Sequence, residues 1–157
     1  GIGLAANQVA LPWRLFVVNV TGEREEKDQE FVFINPEIVR RRGNSEAEEG
    51  CLSVPNLYAR VRRPEQIVVR AFDLSGEEFE MKLDDLPARV IQHEADHLDG
   101  VMFTDRLSDA ARLEVEPVLI EFEARFRKSQ SSGDIPSDKE LMRRLQELEA
   151  GAAVSNG

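Results

Sequence analysis

His93-Glu94-Ala95-Asp96-His97 contains both histidines of the chain. On a helix, residues four apart share one face about 6 Å apart along the axis, so both imidazoles reach a single metal ion. Glu94 follows the first histidine by one residue and reaches a metal-bound water without taking a coordination position. Two ligands and a general base within one turn is the layout of a metal-assisted hydrolase. The flanking residues predict the helix itself. Asp84 and Asp85 are capping residues, Pro87 fits a first turn, and Leu86, Val90, Ile91 and Leu98 recur at helical spacing. Gly100 suits the C-terminal end. The bland alternative is two histidines paired by chance on a surface helix. It is the weaker reading in a chain that spends both its histidines on this motif.

Catalytic metal sites usually have three protein ligands and one open position. Zinc proteases with this motif take the third from further along the chain, where Asp105, Glu114 and Glu116 are available but no histidine is. Upstream, Glu48-Glu49-Gly50-Cys51-Leu52-Ser53 contains the single cysteine. A lone cysteine cannot close an internal disulfide, and it is most often a small buried apolar residue. Here no apolar run surrounds it, and a thiolate suits a borderline-soft ion. Cys51, His93 and His97 are therefore the preferred ligand set. Two other classes stay open on the residues alone. One is a metalloprotease that does not depend on Cys51. The other is a non-catalytic zinc domain closed by a fourth ligand, in which Glu94 has no structural need.

Gly1-Ile2-Gly3-Leu4-Ala5-Ala6-Asn7-Gln8, Glu49-Gly50-Cys51-Leu52-Ser53 and Gln92-His93-Glu94-Ala95-Asp96-His97 resemble, in order, the three signature motifs of peptide deformylases. The similarity continues through Ser53-Val54-Pro55 and through residues 100–107, and covers roughly residues 1–125. The resemblance implies removal of the formyl group from the N-terminal methionine of nascent polypeptides. It implies one divalent ion on Cys51, His93 and His97, with Fe²⁺ as the native metal and Zn²⁺, Ni²⁺ or Co²⁺ as alternatives. It assigns the proton transfers to Glu94, and the oxyanion to the Gln8 side-chain amide and the Leu52 backbone N–H. The stretch around Gly3 would lie beside an extended substrate that pairs with it as an added strand. Ile2, Leu86 and Val90 are positioned for the methionine pocket. Arg89 stands where family members often carry an aliphatic residue, and its charge is expected to snorkel outward. Asn56 is a second departure, of little expected consequence. Glu49 is implied to hold the cysteine loop by pairing with an arginine, Arg62 or Arg63. Surface pairs contribute little, so it is a supporting residue only.

The remaining sequence predicts an α+β fold, with small antiparallel or mixed sheets around a central metal-binding helix and a C-terminal helix. Residues 14–20 and 30–35 are β-rich, the second run ending at Pro36 with a new strand over 37–41. Residues 66–73 and 77–83 form a hairpin across Leu74-Ser75-Gly76, and residues 21–29 are a charged loop. Residues 110–128 read as a helix packing through Leu113, Leu119, Ile120, Phe122 and Phe126, kinked or interrupted at Pro117. A catalytic domain over 1–128 is followed by a linker at 129–134 and a tail to 157, which holds a short helix over 137–150 and a disordered end.

The 157 residues make one domain, and a net charge of −10 argues against a broad nucleic-acid or anionic-membrane footprint. The arginines at 40–42 and 60–63 read as strand-edge charges. No apolar stretch is long enough for a membrane span. One free cysteine suits a reducing compartment, so a cytoplasmic location is expected; the resemblance implies work close to the ribosome, and a monomer is expected. The chain opens inside the first motif, whereas family members carry a preceding strand and helix. A missing upstream segment is therefore expected, and any organelle-targeting peptide would lie there.

Overall fold

The structure is a computed structural model and describes residues 2–19, 21 and 29–154. The described residues form seven strands and three α-helices in the order β1 (Gly3–Ala5), β2 (Leu15–Asn19), β3 (Glu30–Arg42), β4 (Ser45–Cys51), β5 (Val54–Arg63), β6 (Gln66–Phe72), β7 (Glu78–Asp84), α1 (Asp85–Leu98), α2 (Asp109–Ser132) and α3 (Asp138–Val154). The class is α+β, and every strand pair is antiparallel. Five strands make one sheet in the order β1-β2-β3-β6-β7, while β4 and β5 form a separate two-stranded sheet.

Alternating apolar residues give the larger sheet its buried face. Phe16 and Val18 of β2, Phe33 of β3, and Ile67, Val69 and Ala71 of β6 all point inward. Phe16 lies opposite Phe33 in register, and their rings stack at 5.0 Å. Ala88, Ile91 and Ala95 of α1 close over this face, three positions at helical spacing. A second core, built from Val54, Leu57, Val61, Phe103 and Val115, joins β5 to α2. The metal-motif helix thus packs on the first core, and its His93 ring meets Phe103 of the second.

Several local expectations need correction. Pro36 does not end its strand, because β3 runs on to Arg42 with a register shift between Ile34 and Glu37. A bulge is where a proline without an N–H is tolerated. The strands β4 and β5 were not foreseen, since Ser45–Cys51 reads SEAEEGC, without apolar alternation. Asp84 occupies the N-cap of α1 without a side-chain capping bond. Pro117 lies inside α2, which continues across it. Leu113 and Ile120 are exposed rather than packed, and Val115 is the residue of α2 that is buried. The expected linker at Ser129 is the last turn of α2, capped by Gly133 at φ 84°. The tail helix reaches Val154, so the helix runs through most of the expected disordered end. Residues 22–28 of the expected charged loop lie outside the described residues. The 66–84 hairpin forms as expected, with the Asp73 carboxylate accepting from Ser75 N–H and Glu77 N–H at its tip.

Candidate active site

One stripe of α1 builds the site. Arg89, His93 and His97 are each four residues apart and face β4. Cys51, at the end of that strand, brings its Sγ to 3.3 Å from His97 Nε2. The donor atoms of Cys51, His93 and His97 all lie within 4.8 Å of one another, a triangle of the size one ion spans at ligand distances of about 2.0–2.3 Å. Among the described residues no Asp or Glu joins this cluster, Asp105, Glu114 and Glu116 included. Three donors and an open side is the catalytic rather than the closed structural arrangement.

The protonation states prepare the donors. Burial pushes the Cys51 thiol up, but hydrogen bonds from His93, His97 and Ser53 outweigh it and bring it down to about 5. It is therefore a thiolate at neutral pH, the form that ligates metals. Burial pulls His93 down, yet bonds to Cys51 and Glu49 raise it to about 9. A metal entering at neutral pH displaces that proton. Nδ1 of His93 donates to Glu49 Oε2 at 3.0 Å, which leaves Nε2 to face the Cys51–His97 cluster as an available donor atom. The His93 ring also stacks on buried Phe103 at 6.3 Å between centroids.

Glu49 is the centre of a buried ionic network, not a surface charge. Burial raises its carboxyl, but hydrogen bonds from His93, Arg63 and Arg89 prevail and hold it down at about 2. Arg63 binds it through Nε at 2.7 Å and Nη2 at 2.9 Å, and Arg89 binds it through Nη1 at 2.7 Å. Of the two expected partners it is Arg63, and not Arg62, that pairs with Glu49. Arg63 also reaches Asp96 at 2.7 Å, and Asp96 in turn holds Arg106. Arg89 does not snorkel outward. It is 7% exposed and also donates to the carbonyls of Val61 and Ser45. Its position four residues before His93 was the available signal, because it points a residue in the same direction as the ligands.

Glu94 is buried, and burial raises its carboxyl. Among the described residues its Oε2 is the one buried side-chain oxygen or nitrogen without a hydrogen-bond partner. Such atoms are rare and call for a group they await. Together with the donor set, this fits a metal ion carrying exchangeable water. Gly3 packs directly on this carboxylate. A Cβ there would stand 2.4 Å from Glu94 Oε1, so it is Glu94 that the glycine admits at close range. Gln8, on the 3-10 turn after β1, accepts from Ala5 N–H at 2.9 Å. Its Nε2 is thereby aimed at Ser53 Oγ, 3.0 Å away, and at Cys51 Sγ, 3.8 Å away. Asn7 Nδ2 donates to the carbonyl of His97, tying the first motif to the third. Neither Asn7, Ser53 nor Asp96 was singled out from sequence, since each is an ordinary polar residue until the fold gives it a partner.

A cavity of about 270 Å³ opens beside these groups. Ile2, Gly3, Leu86, Arg89 and Val90 all line it, as do Gln8, Leu52 and Glu94. The edge strand β1 flanks the cavity through Gly3. Fold and site together define a metal-dependent hydrolase with a Cys-His-His donor set and a buried carboxylate. A family profile for polypeptide deformylase matches residues 1–113. A peptide deformylase of Rhodopirellula baltica is 48% identical over 160 residues, spanning 100% of this chain and 79% of that protein. Peptide deformylase 1B of Arabidopsis thaliana superposes with a TM-score of 0.76 at 42% identity, over 88% of this chain and 75% of that one. A peptide deformylase from Plasmodium falciparum gives 0.78 at 34% identity, over 82% and 76%. The chain belongs to the polypeptide deformylase family, and it is an amidohydrolase that deformylates nascent peptides.

Proposed function

We propose that Cys51, His93 and His97 hold the ion and that Glu94 is the acid–base group for release of formate from N-formylmethionyl peptides. When bound, the ion supplies Lewis acidity that makes hydroxide available near neutral pH. Glu94 takes the proton of the attacking water and passes it to the departing amine, so that formate and a free α-amine leave. The oxyanion formed on the formyl carbon is met by Gln8 Nε2 and by the backbone N–H of Leu52; such donors typically contribute about 2.7–4 kcal/mol each. Ile2, Leu86 and Val90 take the methionine side chain, while Gly3 and the free edge of β1 pair with the peptide backbone. Arg89 shapes the floor of this pocket from its buried position, and Glu49 orients His93.

The observation that carries this reading is the unpartnered, buried Oε2 of Glu94 beside a three-donor cluster. We assign Fe²⁺ as the native ion on the family resemblance, with Zn²⁺, Ni²⁺ and Co²⁺ as substitutes, since a thiolate and two imidazoles suit the whole of this borderline-soft series. Residues 1–128 form the catalytic unit in this reading. The chain works as a cytoplasmic monomer near the ribosome, where its substrates emerge. Among the described residues no helix is long and apolar enough to cross a membrane.

The test is formate release from formyl-Met-Ala-Ser by protein loaded anaerobically with Fe²⁺ or Ni²⁺. Glu94→Gln should lower kcat by about 10²–10⁴-fold while the protein keeps one bound metal. Retained activity in that variant would remove Glu94 from the reaction, and activity in a Cys51→Ala variant at full metal occupancy would remove Cys51 from the ligand set.

A further inference from the structure

A second cavity, of about 210 Å³, lies between β3, β5 and α1 and shares no lining residue with the active-site cavity. Arg41, Arg62, Arg63 and Arg106 contribute its wall, against one carboxylate, Asp96. Both oxygens of that carboxylate are already engaged, Oδ2 by Arg63 and Arg106 and Oδ1 by Arg106. It therefore has little capacity left to neutralise the remaining guanidinium groups. The Arg62 side chain takes part in no ion pair or hydrogen bond among the described residues, and the one bond the Arg41 side chain makes is to the carbonyl of Ile38. Arg63 is 3% exposed and fixed through three of its five N–H groups, so it forms a rigid back wall rather than a mobile surface charge. Glu49 also neutralises Arg63 and Asp96 holds Arg106, so in a chain of net charge −10 the positive charge left unbalanced around this concavity is that of Arg41 and Arg62.

We infer that this cavity binds a small phosphate-class oxyanion, held by the exposed Arg41, Arg62 and Arg106 at its rim and by buried Arg63 at its base. Guanidinium forks match phosphate oxygens bidentately, which an ammonium cannot do. The volume suits a phosphate or diphosphate group and not an extended polymer. The acidic remainder of the chain also repels a nucleic-acid backbone beyond the pocket. A free phosphate or the terminal phosphate of a small metabolite is therefore the occupant, and RNA is the competing source of the same chemistry.

Calorimetric titration of the metal-loaded protein at low salt tests this, with inorganic phosphate, pyrophosphate and a single-stranded oligouridylate as separate probes. Pyrophosphate should bind one per chain, and the Arg41→Ala/Arg62→Ala double variant should bind it about tenfold or more weakly, as loss of charge-assisted bonds requires. Formate release by that variant should equal that of the wild type, since neither residue touches the active-site cavity. Both positions are exposed, so folding should survive, and unchanged activity verifies it. No binding by the wild type would overturn the inference. So would equal binding by the double variant, which would put the anion on the metal instead. Tight oligouridylate binding lost in the double variant, without pyrophosphate binding, would overturn the small-ligand assignment.

Discussion

Glu49→Gln tests the buried network most directly, because it keeps the shape of the side chain and removes its charge. Glu49 is 7% exposed and accepts from Arg63, Arg89 and His93 at 2.7–3.0 Å. Removing one partner of a buried pair typically costs about 3–5 kcal/mol, because the other charge is left uncompensated. Arg63 would still hold Asp96, and Arg89 would still hold the carbonyls of Val61 and Ser45. The low end therefore applies, about 3 kcal/mol, or a melting temperature roughly 6–12 °C lower for a chain of this size. His93 also loses the carboxylate that fixes its tautomer and raises its basicity, so metal affinity should fall roughly 10–100-fold. Thermal unfolding and chelator competition on the same preparation measure both effects. Glu48→Gln, at the exposed neighbouring position, is the control and should change neither. An unchanged melting temperature together with unchanged metal affinity in Glu49→Gln would refute the network as a source of stability and of ligand orientation.

Further outcomes are expected. Gly3→Ala puts a methyl 2.4 Å from Glu94 Oε1, so the carboxylate must move. Its kcat should fall by about 10²-fold or more with metal content intact, and a wild-type kcat would show that Glu94 tolerates displacement. Arg89→Leu should cost about 3–5 kcal/mol in urea denaturation, whereas a snorkelling surface arginine would cost less than about 0.5 kcal/mol. In the metal-free protein the Glu49 carboxyl is depressed from 4.5 to about 2. Its contribution to stability is therefore fully present above pH 4.5 and is lost as the pH falls toward 2. Urea midpoints of chelated wild type should drop across that window more steeply than those of Glu49→Gln, and parallel curves would contradict the assignment.

Much of the site was legible because it is local. The four-residue spacing of His93 and His97 places both on one helix face whatever the rest of the chain does, and Glu94 follows from the same turn. Strand alternation in Leu15–Asn19 and Gln66–Phe72 likewise declares a buried face by itself. The strand carrying Cys51 was invisible for the opposite reason. Its Ser45–Cys51 run alternates charges rather than apolar residues, and its burial comes from ion pairs made with residues far along the chain. The sequence alone also placed Arg89 at a pocket wall and sent its charge outward, since no local rule supplies a buried partner for it.

What the linear chain determined was the pairing of His93 and His97 on one helix face, the place of Glu94 beside them and the class of fold, all set by periodicities of two and four residues that act within one element. Tertiary structure decided which arginine holds Glu49, that Arg89 is buried, and that Gly3 rests against Glu94. It also brought Arg41, Arg62 and Arg106 around one cavity. Each of these joins residues from different elements, where burial removes competing water and makes the choice of partner count in kilocalories. No spacing within a single element encodes that choice.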